Sequence, residues 1–472
     1  MDEDASVNTA ANVPVYRQIY QRYKDGIASG RLAPGDRVPS VRALAAELNL
    51  ARGTVEAAYQ MLIAEGYLLS RGPAGTVVSA QCSGMSGGSS APRVKTAIDP
   101  LLHDGQHPLP LQMGLPALDA FPRKVWTRLA GRLLRESAMD GLLYPDACGH
   151  APLRSAIAGY LGVSRGIVCA PEQIFICAGY QACLDLICRS LMRPGDRCWF
   201  EDPGYFQARR FMHAAGAELV PLPVDASGLD VEQGLRQAPD ARFAIVTPTH
   251  QSPLGVTLSL PRRQRLLAWT AQRQSWIIED DYDSEYRYQG RPIPALKSLD
   301  SNGRVLYTGS FSKVLVPGLR LAYLVVPPEQ VPLFARMIDT TQNHCPMLWQ
   351  ATTAAFIDSG HFARHLRTMR ALYAQRRAWL VDALHARSRL PVRVDVQAGG
   401  MHVTGHLTRG LDDRAIAARA AQAGLAVQAL SNWYLQAPAQ RGLLMGFTNI
   451  RDQSEAQRIA AQLEDAIMNV MA

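Results

Sequence analysis

Apolar residues recur every fourth position in VYRQIYQRYKDGIASG, where Val15, Ile19, Tyr23 and Ile27 share one face; this spacing predicts a helix that Gly30 closes. In GDRVPSVRALAAELNL, Ser40 stands where an N-cap belongs, ahead of Val41, Leu44, Ala45 and Leu48. RGTVEAAYQMLIAEG predicts a third helix with Val55, Ala58, Tyr59, Leu62 and Ile63 turned inward and a stop at Gly66. YLLSRGPAGTVVS then reads as two short strands about a Gly-Pro-Ala-Gly turn. Three helices and a β-ribbon in this order predict a winged helix-turn-helix over residues 12–80.

The pattern breaks over residues 81–111, where Ser, Gly and Pro crowd and helical periodicity is missing, so a flexible linker is expected there. From 112 to 472 short apolar runs reappear beside helical ones. IFICAGYQACLDLICRSL reads as strand, glycine turn and helix; SWIIEDDYDSEYRY as a buried strand (276–278) running into an acidic cluster; and VLYTGSFSKVLVPGLRLAYLVV as two buried strands (305–308 and 321–326) around a polar loop.

Composition changes this picture little. With 472 residues, 47% of them hydrophobic and 19% charged, the chain reads as globular, and its length predicts about two to four units. Its 8 cysteines form no Cys-x-x-Cys pair and no cluster with histidine, so reduced thiols, no metal site and a cytoplasmic setting are expected. MDEDASVNTA lacks the apolar core of a secretory signal, and LRLAYLVVPPEQ is interrupted by prolines, so no membrane partner is expected.

A net charge of +8 permits a nucleic-acid partner without requiring one; the placement of the charge says more. The third helix opens on Arg52, Gly53 and Thr54: a guanidinium that can fork onto guanine, a position with no side chain in the way, and a hydroxyl for phosphate. Arg37, Ser40 and Arg42 flank it, and the turn from Arg71 to Gly75 is placed as a wing. Each alone reads more simply as a solvated residue; as a set at helix-turn-helix spacing they predict contact with double-stranded promoter DNA. Residues 39–68 resemble the GntR regulators in nearly all of PSxRxLAxxLxxxRxTVxxAYxxLxxEGYL, and that resemblance places DNA contacts on Arg42, Arg52 and Thr54.

The lysine of the polar loop, Lys313, reads either as a solvent-facing residue or as an amine held as a Schiff base to an aldehyde cofactor, with hydroxyls and a guanidinium around it for a phosphate. Asp280 ends a buried strand, where it can pair with a pyridine nitrogen, and Tyr282 can reach a 3-hydroxyl, although EDDYD taken alone reads equally as a solvated loop. The amides after Gly179, with Tyr180 and Gln181, are placed to form a helix N-terminal phosphate site, and Tyr205 on a Pro-Gly turn reads either as a ring for stacking or as packing. EDDYDSEYRY followed by YTGSFSKVLVPGLRLAYLV resembles the MocR-type branch of the GntR regulators, as do GLPALDAFPRKVW, YPDACGHAPLRSAIAGYL and TPTHQSPLGVTLS. That resemblance implies an α/β PLP-dependent transferase-like body of fold type I, with pyridoxal 5'-phosphate (PLP) on Lys313, Asp280 at the ring nitrogen and Tyr282 at the 3-hydroxyl. It further implies that Ser310, Ser312, Arg320 and the turn from Gly179 to Gln181 hold the phosphate. Tyr144 would reach a neighbouring subunit's phosphate, implying a homodimer with shared sites.

Two functions are then open: a regulator that senses PLP or an amino compound, with control of vitamin B6 or amino-compound metabolism, and an active aminotransferase carrying a DNA-binding appendage. An aminotransferase seats its substrate carboxylate on an arginine ahead of a phenylalanine near the C-terminus; in RGLLMGFTNI, with Phe447 as that phenylalanine, the arginine position holds Leu444. Arg441 and Arg209 are the alternative anion partners. The asparagine usual beside the 3-hydroxyl is replaced by Ser252, with His250 and Gln251 as polar neighbours.

Overall fold

The computed structural model describes residues 13–82, 108–136, 143–341, 344–408, 410–436 and 438–471. The chain divides into two compact units, residues 1–104 and 105–472. Most of the expected linker, 83–107, lies outside the described residues.

The N-terminal unit holds α1 (Val15–Ala28), α2 (Val41–Glu47) and α3 (Arg52–Ala64), with β1 (Arg37–Val38), β2 (Leu68–Ser70) and β3 (Thr76–Val78) in an antiparallel sheet of order β1-β3-β2. Ile19, Ile27, Leu44, Val55, Ala58 and Leu62 form its core. Ser40 caps α2 by accepting from the Ala43 amide at 3.1 Å. Tyr59 bonds the Tyr23 hydroxyl at 2.9 Å and donates to the Pro39 carbonyl at 2.9 Å, tying α1 and α3 to the entry of α2. Two details differ from expectation. Ile63 is exposed, because Tyr59 and Leu62 already fill the inward stripe and Ile63 lies about 100° round the helix from Leu62. Strand β1 has too few residues to show a period, and it forms because β3 supplies its partners, Arg37 to Val77 and Val38 to Thr76.

The C-terminal unit is built on an eight-stranded sheet: β4 (Ile174–Cys177), β5 (Arg197–Asp202), β6 (Glu218–Asp225), β7 (Gly228–Leu229), β8 (Phe243–Val246), β9 (Trp276–Asp281), β10 (Val305–Ser310) and β11 (Ala322–Val325). Their order is β4-β11-β10-β9-β8-β5-β6-β7, with β6, β5, β8, β9 and β10 parallel and β11 antiparallel to both neighbours. Such a sheet is covered on both faces, which is why its strands read as continuous apolar runs. Along β9, Ile277 packs into one core cluster and Trp276 and Ile278 into another.

The covering helices include α4 (Arg123–Glu136), α5 (Ala151–Arg165), α6 (Tyr180–Leu191), α7 (Phe206–Ala214), α8 (Val231–Gln237) and α9 (Leu260–Arg273). After β10 come the one-turn α10 (Phe311–Val314), then α11 (Val331–Thr341), α12 (Met347–Asp358) and the long α13 (His361–His385). A second, antiparallel sheet of order β12-β13-β15-β14 is formed by β12 (Val392–Asp395), β13 (His402–Leu407), β14 (Gln428–Ala429) and β15 (Gly442–Gly446), with α14 (Asp413–Gln422) and α15 (Gln453–Met471) packed beside it. Among the described residues no helix is long and apolar enough to cross a membrane.

Candidate effector and DNA-binding sites

Open α/β sheets gather ligand chemistry at the carboxyl ends of their parallel strands. Here those ends deliver Glu201 from β5, His250 after β8, Asp280 from β9 and Lys313 after β10. Strand alternation sorts the acids of EDDYD. Glu279 and Asp281 share one face: Glu279 accepts from the Leu296 and Lys297 amides at 2.8 Å, and Asp281 takes the Arg165 guanidinium at 2.7 Å and the Tyr307 hydroxyl at 2.6 Å. Asp280 points the other way, toward Tyr180, whose buried hydroxyl has no other partner among the described residues. Burial pushes the Asp280 carboxyl up to about 8; Tyr180 pulls it back, and the charges of Asp281, Glu201 and Asp283 add to the rise.

Strand β10 ends at Ser310, whose side chain accepts from the Ser312 amide at 3.2 Å and so starts α10. One residue on, the partly buried Lys313 sends its amine to the carbonyl of Gly114 at 2.5 Å. Burial holds this amine below the usual lysine range, against the pull of Asp283 and Asp280. Arg320, at φ +50°, donates to the Ala178 carbonyl at 3.0 Å and lies against Gly179, where a Cβ would fall 2.7 Å from the guanidinium. Gly179, at φ +96°, thus admits Arg320 beside the start of α6, where the amides of Tyr180 and Gln181 open the helix. Tyr205 completes this wall: its ring centroid is 6.3 Å from that of Tyr180, and its hydroxyl, raised to about 12 by burial, is acted on by both Asp280 and Arg320. Tyr282 meets His250 Nδ1 at 2.9 Å and bonds Ser252, the residue in place of the usual asparagine.

This end of the sheet therefore brings Tyr180 and Tyr205 to Asp280, Arg320 to Gly179 and Tyr282 to His250, while Lys313 feels the charges of Asp280 and Asp283 and follows Ser310 and Ser312 at the start of α10. Arg209, half-buried, lies beside it: its Nη1 is 3.4 Å from the Tyr434 carbonyl and 3.5 Å from that of Trp433, and Trp433 packs against both Tyr205 and Leu444. Leu444 itself is fully buried in β15. Two expected residues stand apart. Arg441 sits exposed ahead of β15, donating to the Gly410 carbonyl at 2.5 Å. Tyr144 is 95% exposed and lines a surface hollow with Asp146, Cys148 and His344.

In the N-terminal unit, Arg52 and Gly53 are exposed at the first turn of α3 and Thr54 is half-buried beside them. Arg42 is exposed on α2, and Arg37 lies against the wing, where a Cβ on Gly75 would come within 2.9 Å of its guanidinium. Ser40 keeps a hydroxyl proton free while capping α2, because the cap uses only its oxygen.

Sequence reasoning missed the partners of the acids. Arg165 is buried, bonding Asp281, Thr249 and the Ile293 carbonyl, and Asp283 pairs with His250. The available signal was parity: in EDDYD, strand alternation already separates Asp280 from Glu279 and Asp281.

The fold and the site thus define a winged helix joined to a fold-type I transferase body. The family described as bacterial regulatory proteins of the gntR family matches residues 15–78, and aminotransferase class I and II matches residues 112–439. The chain is 39% identical over 459 residues to the probable rhizopine catabolism regulatory protein MocR of Rhizobium meliloti, covering 93% of this chain and 91% of that one. It is 30% identical to the pyridoxine biosynthesis transcriptional regulator PdxR of Corynebacterium glutamicum over 99% of each chain. Among solved structures, a Pyrococcus horikoshii kynurenine aminotransferase superposes with TM-score 0.70 at 28% identity, covering 77% of this chain and 91% of the other. The α-aminoadipate aminotransferase LysN of Thermus thermophilus, complexed with N-(5'-phosphopyridoxyl)-L-leucine, gives 0.70 at 29% over 77% and 92%. The chain belongs to the MocR-type GntR transcription regulators, whose effector body is a member of the class I and II aminotransferase family.

Proposed function

We propose that this regulator binds promoter DNA through α3 and its wing and carries PLP at Lys313, sensing either that cofactor or an amino compound that meets it. The observation that carries this reading is that the neighbouring parallel strands β9 and β10 deliver Asp280 and Lys313 at their carboxyl ends, where burial pushes the lysine amine down and the aspartate carboxyl up to about 8. An amine kept toward its neutral form is the nucleophile an aldehyde needs, and a buried acid is the partner a ring nitrogen needs. The other residues fit the same group: Ser310, Ser312, Arg320 and the amides that open α6 suit a phosphate, Tyr205 suits a ring face, and Tyr282 suits the 3-hydroxyl. When bound, PLP supplies a ring that draws electrons from an attached amine. Arg209, beside Tyr205, suits an effector's carboxylate.

The exposed Tyr144 fits a homodimer in which each chain completes its neighbour's phosphate site. A DNA partner fits a cytoplasmic protein. Turnover as an aminotransferase is the second reading, favoured by the same amine and acid; the buried Leu444 where a carboxylate-binding arginine belongs weighs against it.

The deciding experiment measures affinity for the DNA beside this protein's own gene, without and with PLP, at one fixed salt concentration. A change caused by PLP alone makes the cofactor the signal, as the name of the pyridoxine biosynthesis relative suggests. Equal affinities move the search to amino compounds, as the name of the rhizopine catabolism relative suggests. Failure to bind that DNA in either form, with no cofactor retained, sinks the proposal.

A further inference from the structure

His250 stands behind Tyr282 with one nitrogen facing two partners. Its Nδ1 lies 2.9 Å from the Tyr282 hydroxyl and 3.1 Å from the Asp283 carboxylate. A protonated Nδ1 donates to Asp283 and has no lone pair for the tyrosine; a bare Nδ1 accepts the tyrosine proton and leaves Asp283 facing a lone pair. Asp283 is 1% exposed, and a buried carboxylate without its donor is the costlier outcome, so the proton belongs on Nδ1. Tyr282, which also bonds Ser252, then keeps its own proton for an acceptor elsewhere. Packing fixes the ring in this pose: a Cβ on Gly400 would fall 2.3 Å from Cε1 of His250, and one on Gly255 would fall 3.0 Å from Nε2.

We infer that the Asp283–His250 pair positions Tyr282, directing its hydroxyl proton toward the group held at Lys313. The inference rests on the PLP reading above. Other charged or titratable groups face the same place: Asp280, Asp283 and Glu201 act on Tyr282, Asp280 and Asp283 act on Lys313, and the His402 ring lies 6.0 Å from that of His250. Donation to the oxygen on the cofactor ring stabilises its negative charge and lowers the pH at which the bound chromophore titrates.

The test follows that absorbance against pH in the PLP-loaded full chain. Asparagine places an amide nitrogen where Nδ1 sits, so His250→Asn keeps the wild-type midpoint. Glutamine keeps a polar, fold-compatible side chain but places its nitrogen at the Nε2 position, so His250→Gln raises the midpoint by about one pH unit. Tyr282→Phe raises it similarly, and His250→Gln adds nothing in that background, as two residues acting through one hydroxyl require. An unmoved midpoint in His250→Gln, an equal shift in His250→Asn, or a further shift in the Tyr282→Phe background overturns the inference. A wild-type chain with no chromophore fixed on Lys313 by borohydride overturns the PLP reading and the inference with it, which separates the two failures.

Discussion

The amine of Lys313 and the carbonyl oxygen of Gly114 lie 199 positions apart in the chain and 2.5 Å apart in the fold. A carbonyl is a weak partner for a full positive charge, and burial depresses this amine. Lys313→Met keeps much of the volume and removes the ionisable group. Below the depressed pKa, wild type carries the cost of a buried charge; between that value and the ordinary lysine range the unfolded chain holds the extra proton, so stability rises with pH there. Cofactor-free Lys313→Met is therefore expected to lose no more than about 1 kcal/mol in urea melts at neutral pH, the value of one hydrogen bond. If Lys313 holds PLP as proposed, the variant yields no PLP adduct on mass measurement after borohydride reduction, whereas wild type does.

A second pH dependence has the opposite sign. Burial raises Asp280 to about 8, Glu201 to about 7 and Glu279 to about 6. Acids raised in the folded state hold protons that the unfolded chain has released, so their stabilising share is complete below the ordinary carboxylate range and is lost as pH climbs through these values. Cofactor-free protein should weaken between about pH 5 and pH 8, at no more than about 1.4 kcal/mol per pH unit for each group. Asp280→Asn should flatten the upper part of that slope, which melts across the range will show.

The same acids explain how much could be read from the sequence. The winged helix was legible because each of its helices carries its inward face within a dozen residues, and Ser40 announces its cap locally. The strands flanking Lys313 were legible as apolar runs, but their ends were not: β9 and β10 run on to Asp281 and Ser310, past the expected 278 and 308, because ladder partners rather than apolar side chains carry those residues. The partners of the acids were not legible either. Arg165 reaches Asp281 from 116 positions away and His250 reaches Asp283 from 33, and neither distance leaves a period in the chain. Arg441 looked equivalent to Arg209 in the sequence, and only the start of β15 shows that it turns outward to Gly410.

Arg165 and Asp281 are 4% and 3% exposed in their side chains, and their ion pair also engages Thr249 and Tyr307. Removing either partner strands a buried charge. Arg165→Met or Asp281→Ala should each cost about 3–5 kcal/mol, while the double variant costs less than the sum. Additive losses in denaturant titrations would show that the two do not act as a unit.

Gly179 combines a φ of +96° with a Cβ direction that ends 2.7 Å from the Arg320 guanidinium. Gly179→Ala adds about 1 kcal/mol of backbone strain and pushes Arg320 from the mouth of α6. PLP affinity should fall by more than the loss in stability explains, and isothermal titration beside a thermal melt separates the two.

The proposed docking gives Arg52 and Arg42 different roles in DNA binding, which salt would distinguish. Arg52 opens α3, the helix whose first turn meets base edges in a winged helix-turn-helix; Arg42 lies exposed on the helix that crosses the backbone. Arg52→Ala should cost about 1–3 kcal/mol on the preferred site and much less on a scrambled one, so base preference relaxes. Arg42→Ala should weaken both DNAs alike and reduce the slope of log affinity against log salt by about 1, the signature of one lost phosphate contact. If Arg52→Ala instead lowers both affinities equally with that change of slope, the guanidinium holds a phosphate, and base recognition must come from Thr54 or the wing.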